Sequence, residues 1–244
     1  MSFTIIIPAR YAAQRLPGKP LIDIAGKPMV QHTWERAQES DASRVVVATD
    51  DERIEQAVKQ FGGEVVMTAT DHRSGTDRLQ EAAQLLQLNE NDIIVNVQAD
   101  EPLLPASAIH QVADNLATHA DAGIATLCEI IQSQEEVEDP NSVKVVFDKS
   151  GRALYFSRST IPHNANASAR NCFRHIGLYA YRVSVLNQFV SWAPSELELA
   201  EKLEQLRAMD NGVAIHVGVS DSQIPPGVDT EKDLESVRHY LSAN

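Results

Sequence analysis

A chain of 244 residues that is 43% hydrophobic is long enough to bury one large α/β core. Its formal net charge of −13 excludes the broad basic footprint of a nucleic-acid binder. The charge is uneven: Arg10, Arg15, Lys19 and Lys27 against Asp23 leave +3 in the first 30 residues and −16 in the rest, a pattern suited to a small anionic ligand.

The chain opens on a strand-like run, Phe3–Ile7, which empties into a loop carrying Arg10, Arg15 and Lys19. A helix is predicted over Met29–Glu39, a strand over Val45–Ala48, and a helix over Asp51–Phe61 that ends at Gly62-Gly63. The strand Glu64–Met67 follows. Thr76–Leu88 reads as a helix with Leu79, Ala82, Ala83 and Leu86 on one face, and Ile93–Val97 as a central strand. Near-continuous apolar strands alternating with helices predict a mostly parallel sheet covered on both faces, with right-handed crossovers. The second half changes character. Ile124–Ile131, Val143–Phe147, Ala153–Phe156 and Phe173–Arg182 read as strands with few helices between them, hence an antiparallel or mixed extension. His163–Asn171 is polar and rich in small residues, and reads as a mobile loop. A helix over Leu197–Met209 carries Leu199, Leu203 and Leu206 at one-face spacing. A strand at Ala214–Val217 and a helix at Thr230–Leu241, opened by a Thr230/Asp233 capping-box pattern, close the chain.

Cys128 and Cys172 have no metal or redox spacing and read as plain thiols of a reducing compartment. Met1-Ser-Phe-Thr lacks a basic leader, Pro8 ends the first apolar run, and no stretch approaches the ~20 apolar residues of a membrane helix. A cytoplasmic protein is expected.

Five stretches carry groups that could do chemistry. The loop after the first strand sets Arg10 and Lys19 where open α/β sheets bind ligands, beyond the carboxyl ends of strands; both side chains hold phosphate well. Neither Gly-x-x-x-x-Gly-Lys-Ser/Thr nor Gly-x-Gly-x-x-Gly occurs, which excludes a P-loop and the usual dinucleotide fingerprint. Gln98-Ala-Asp100-Glu101-Pro102 ends the central strand on the same side, and a carboxylate beside phosphates suits Mg²⁺; an Asp-x-Pro stop is the plainer alternative. Asp229 stands just before a helix start, where an acid is favoured by the dipole alone. Ser74 and Thr76 open a helix and suit either a ligand cradle or an ordinary cap. On the strand 173–182 a period of two puts His175, Gly177, Tyr179 and Tyr181 on one face, a ligand wall or a set of satisfied core groups.

These blocks converge on one family. Ile7-Pro-Ala-Arg-Tyr11, Arg15-Leu-Pro-Gly-Lys-Pro-Leu21, Ala48-Thr-Asp-Asp-Glu52, Ser74-Gly-Thr-Asp-Arg78, Gln98–Pro102, Tyr155-Phe-Ser-Arg-Ser-Thr-Ile-Pro162, Arg174–Arg182 and Glu201-Lys-Leu-Glu-Gln-Leu-Arg207 occur in order, nearly end to end. The chain resembles the 3-deoxy-manno-octulosonate (Kdo) cytidylyltransferases. The resemblance implies a Rossmann-like sheet of the nucleotide-diphospho-sugar transferase type in a single domain, 1–244. A sugar-binding and dimerisation subregion is implied at about 124–182, and a homodimer with it. It implies transfer of CMP from CTP to Kdo with release of pyrophosphate, for lipopolysaccharide synthesis, and two Mg²⁺. One ion would sit on Asp100 and Asp229, replacing the helix-start reading of Asp229, and one mainly on phosphates. Catalytic roles fall to Arg10 and Lys19. Nucleotide contacts fall to Ala9, Arg10, Lys19, Arg73, Ser74 and Gln98, and sugar contacts to Gln98, Arg158, His175, Tyr179, Glu204 and Gln205. No nucleic-acid or membrane partner is implied. A cytidylyltransferase for 8-amino-Kdo or sialic acid remains the alternative. A glycosyltransferase is disfavoured because no Asp-x-Asp occurs. Two departures stand out: Ala99 replaces the usual glycine, which would add a methyl near the ligand, and the segment between Pro162 and Arg174 is short.

Overall fold

The computed structural model describes residues 2–12, 16–72, 74–163 and 172–243. Arg15, Arg73 and most of the short 163–173 loop lie outside these residues.

The first half alternates strand and helix as the apolar pattern predicts. In chain order it runs β1 (Thr4–Ala9), the small hairpin β2 (Asp23–Ile24) and β3 (Lys27–Pro28), α1 (Met29–Gln38), β4 (Arg44–Thr49), α2 (Glu52–Gln60), β5 (Glu64–Met67), α3 (Gly75–Leu85) and β6 (Ile93–Asn96). All six residues of β1 are buried, so both faces are covered. Ile5 and Ile7 enter one core cluster and Ile6 the other. That splits the molecule into three layers, helix on sheet on helix.

The second half contains α4 (Ala106–Thr118), β7 (Ile124–Ile130), α5 (Gln134–Glu138), β8 (Lys144–Phe147), β9 (Ala153–Ser157), β10 (Phe173–Arg182), α6 (Val183–Phe189), α7 (Glu196–Glu201), α8 (Gln205–Asp210), β11 (Ile215–Val219) and α9 (Glu231–Ala243). Among the described residues nine strands form one sheet. Its main order is β11-β7-β10-β6-β1-β4-β5, with β8 pairing to β10 and β9. β10 runs antiparallel to both neighbours, β6 and β7, and β8 and β9 continue the antiparallel part. The mixed extension expected from the sequence is present, although β10 lies inside the sheet rather than beyond its edge.

Three details depart from expectation. α4 is a 13-residue helix that strand-by-strand reading passes over, yet Ala108, Ile109, Val112, Ala113 and Leu116 are all buried at helical spacing. The segment expected as one helix over Leu197–Met209 is two, because Lys202 takes φ 56°, ψ 45° between α7 and α8. Leu199 accordingly lies 54% exposed, while Leu203 and Leu206 are buried. Third, β10 bulges against β7: Ile176 faces Leu127 and Tyr179 faces Thr126, leaving two residues of β10 unmatched. Two extra residues preserve the alternation of faces. Ile176, Leu178 and Ala180 therefore pack in one core while Tyr179 and Tyr181 pack against the other.

Candidate functional site

β1 and β6 are parallel neighbours, so the residues that follow them leave the sheet at one edge. A cleft of about 250 Å³ opens there, lined by Pro8, Arg10, Ala12, Lys19, Pro20, Gly75, Gln98, Ala99 and Asp100. Ala9 is the last, fully buried residue of β1 and sets the exit of Arg10. Gly18 takes φ 69°, a left-handed turn that favours glycine, and its N–H donates to the Tyr11 carbonyl at 2.9 Å. The turn folds Lys19 back under the cleft, where its side chain is only 11% exposed.

Lys19 Nζ is held between two carboxylates, 2.5 Å from Asp100 Oδ2 and 3.1 Å from Asp229 Oδ1. The two acids are 129 positions apart in sequence and meet through a backbone strap. The Val228 N–H donates to the Asp100 carbonyl at 2.8 Å. At Gly227 a Cβ would come 3.3 Å from that same carbonyl oxygen, so the strap lies close because glycine is there. Val228, Leu234 and Val237 pack with Ile24 and Met29 and anchor the strap to α9. The start of α9 is capped by other groups. Asp233 accepts from the Thr230 N–H at 2.8 Å, and Thr230 Oγ1 accepts from the Asp233 N–H at 3.3 Å. The capping box is thus present, and it leaves the Asp229 carboxylate to face Lys19.

Beside this triad, Arg10 Nη2 is buried without a partner among the described residues, and so is Glu101 Oε2. Burial and the neighbouring Asp100 charge push the Glu101 carboxyl up to about 8, against the opposing pull of Lys19. Gln98 Nε2 donates to Asn96 Oδ1 at 3.3 Å on the cleft wall. The Ala99 methyl is 7% exposed and packs into the core, while its carbonyl accepts from Thr33 Oγ1 at 3.1 Å. Ser74 caps α3 in a capping box with Asp77, the plainer of its two roles, and also hydrogen-bonds to Glu204.

A second cavity, about 160 Å³, is lined by Thr76, Ile124, Tyr179, Tyr181, Phe189, Glu204 and Gln205. Glu204 Oε1 and Gln205 Nε2 are buried there without partners among the described residues. Burial raises the Glu204 carboxyl above its usual range, against hydrogen bonds from Ser74 and Thr76 and the Arg207 charge. Tyr179, Glu204 and Gln205 are therefore brought together as expected. Ser74 and Thr76 link this cavity to the α3 end of the first, since Gly75 between them lines the cleft.

His175 stands one layer behind, stacked edge-on to Phe156 and tilted against Tyr179 with centroids 5.0 and 5.3 Å apart. Thr126 Oγ1 lies 2.9 Å from the Ile176 and Leu178 carbonyls and 3.0 Å from His175 Nε2. A hydroxyl has one proton, which goes to a carbonyl, so Nε2–H of a neutral His175 donates to it. Burial holds the imidazole down to about 3. Arg158, expected at the sugar, is not among the residues lining either cavity. Its Nε donates to the Glu201 carbonyl at 2.7 Å and Nη1 to the Pro140 carbonyl at 3.0 Å, with Nη2 3.4 Å from the Lys202 carbonyl. The guanidinium is spent bracing the end of α7, whose free carbonyls attract a cation.

Sequence reasoning named Thr76 as one side of a possible cradle but missed Gly75 as a lining group, although a small residue between two hydroxyls at a helix start was a usable signal. It also missed Thr126, which only the strand register reveals.

Comparison with known proteins agrees with this geometry. Residues 4–215 match the family described as Cytidylyltransferase. A 3-deoxy-manno-octulosonate cytidylyltransferase from Marinobacter nauticus is 57% identical, covering 99% of this chain and 97% of its own. One of the same name from Vibrio vulnificus is 54% identical over 100% and 99%. The solved structure of CMP:2-keto-3-deoxy-manno-octonic acid synthetase complexed with CTP superposes with a TM-score of 0.92 at 45% identity, covering 99% and 98%. 4-Diphosphocytidyl-2C-methyl-D-erythritol synthase, at 14% identity and a TM-score of 0.66, shares the fold. With a bipartite cleft of this kind and relatives matched over their whole length, the chain belongs to the cytidylyltransferase family, among its 3-deoxy-manno-octulosonate members.

Proposed function

We propose that this chain transfers CMP from CTP to Kdo, releasing pyrophosphate and forming CMP-Kdo. The observation that carries the reading is the pairing of two different surfaces joined at the start of α3. One is cationic and phosphate-sized, built from Arg10 and Lys19. The other is a hydroxyl-rich cavity whose Glu204 and Gln205 keep unpartnered polar atoms suited to a polyhydroxy sugar. The relatives' names give the nucleotide and the sugar acid their identities.

In this reading the anomeric hydroxyl of Kdo attacks the α-phosphorus of CTP in line with the leaving pyrophosphate. Arg10, whose Nη2 has no partner among the described residues, holds and neutralises the leaving group. Lys19 stabilises charge on the equatorial oxygens as the bond changes hands. The half-buried wall of Tyr179, Glu204 and Gln205 fixes the sugar so that one hydroxyl points at phosphorus. No side-chain nucleophile is required. Asp100 and Asp229 fit a Mg²⁺: both present hard oxygens to one cation position, which the Lys19 ammonium now fills. When bound there, the metal would lower the pKa of the attacking hydroxyl; a second Mg²⁺ would be held mainly by the phosphates. Arg73 is placed at the cytidine by family likeness alone.

The test is pyrophosphate release with CTP against other NTPs, and with Kdo against 8-amino-Kdo and sialic acid. Turnover confined to CTP and Kdo is expected; preference for another sugar acid would reassign the substrate. A homodimer through the antiparallel part, where Leu154 is 58% exposed, completes the reading and is checked by light scattering. The product would enter lipopolysaccharide synthesis in the cytoplasm. No helix among the described residues is long and apolar enough to cross a membrane.

A further inference from the structure

The segment 196–210 bends where its sequence reads as continuous helix, and two sets of side chains keep it bent. Lys202 sits in the left-handed region, which costs a non-glycine residue stability. Across the break, Arg207 makes a two-pronged ion pair with Glu198, at 2.6 and 2.7 Å, with both side chains nearly buried. The second set ties the break to a distant strand. The Glu201 carboxylate accepts from Ser157 Oγ–H at 2.5 Å and from the Arg158 N–H at 2.9 Å. In return Arg158 Nε donates to the Glu201 carbonyl. Glu201 is therefore the knot between the end of β9 and the last residue of α7.

Three and four residues beyond that knot stand Glu204 and Gln205, each with one buried polar atom that has no partner among the described residues, in the cavity with Tyr179. Their aim depends on the angle at which α8 leaves the break. We propose that Glu201 is a positioning residue for the sugar-acid subsite, locking the break at Lys202 so that Glu204 and Gln205 point into the cavity. The inference rests on the CMP-transfer reading above. It needs a carboxylate, because two donors reach Glu201, one on each oxygen; an amide keeps its oxygen for the Arg158 N–H and turns its N–H to Ser157 Oγ, whose own proton then loses its acceptor.

The experiment is steady-state kinetics of Glu201→Gln with CTP and Kdo varied in turn, beside the wild type. The expected result is a KM for Kdo raised about tenfold, the scale of one misaligned hydrogen-bond pair. The KM for CTP should stay within about twofold. Lys202→Gly relaxes the left-handed residue without touching the knot; it should melt higher and keep its KM for Kdo. An unchanged KM for Kdo in Glu201→Gln, or an equal rise for CTP, overturns the proposal. If that variant does not fold, Ser157→Ala decides, with about a threefold rise for Kdo alone expected and no rise overturning it. Wild-type turnover alongside an unmoved variant removes only the positioning role; a wild type that releases no pyrophosphate from CTP and Kdo removes both readings.

Discussion

At the scale of single residues, Lys19 does two jobs that compete. It pairs with both Asp100 and Asp229, at 2.5 and 3.1 Å, and the proposed chemistry needs the same ammonium at the phosphate. A cation entering between the carboxylates would release it. Lys19→Ala should lower kcat by roughly 10²–10³, the scale of one preorganised donor, in a pyrophosphate-release assay at saturating substrates; near-normal turnover would remove Lys19 from the mechanism. His175 gives a second test. Its folded pKa of about 3 lies below the ordinary value of 6.5, so the unfolded chain takes up the proton first as pH falls. The neutral ring's contribution is whole above about pH 6.5 and is lost from there down toward pH 3, at up to about 1.4 kcal/mol per pH unit. His175→Gln keeps a donor for Thr126 but does not titrate. Urea melts at pH 7 and pH 4.5 should show a smaller acid loss for the variant than for the wild type; equal losses would mean that His175 is not buried neutral.

At the scale of elements, the question left by the sequence at Asp229 resolves through its neighbours. An acid before a helix reads as a cap, yet Thr230 and Asp233 supply the cap and Asp229 turns to Lys19. The two functions can therefore be separated by mutation. Asp233→Ala should cost about 1 kcal/mol in a denaturant melt, the usual value of a lost cap, with its Mg²⁺ requirement unchanged. Asp229→Ala should melt within about 0.5 kcal/mol of wild type, yet need far more Mg²⁺ for half-maximal turnover. The opposite assignment of these effects would return Asp229 to the helix start. The strands and most helices were legible because buried apolar residues repeat with period two or 3.6. The family blocks have a structural reason as well: Asp50 from one block holds the fully buried Arg78 of another at 2.7 Å. The break at Lys202 was not legible. Nothing in Glu201-Lys-Leu-Glu interrupts a helix by propensity, and the cause is the tertiary knot at Ser157 and Arg158. The carbonyl contacts of Arg158 were not legible for the same reason, since an arginine's partners are set by which helix end folds against it.

At the scale of the whole molecule, charge sets a conflict that the cleft resolves only locally. A body of net charge −13 must admit a polyanionic nucleotide. The sequence shows this asymmetry directly, as +3 against −16, but not that the strap at Gly227 brings Asp229 into the cationic cleft as well. Around Lys19 one positive charge faces two negative ones, so local attraction to phosphate depends on Arg10 and on whatever cation joins the aspartates. The two fields have different ranges. The Debye length is about 30 Å at 0.01 M salt, so that CTP there meets the charge of the whole body. At 0.15 M it is about 8 Å, and CTP meets mainly the cleft. Raising KCl from 0.01 to 0.15 M at fixed Mg²⁺ should therefore tighten CTP binding, measured calorimetrically, before higher salt screens the cleft too and weakens it. Monotonic weakening from the lowest salt would mean that the cleft's own field already outweighs the acidic body at every distance that matters.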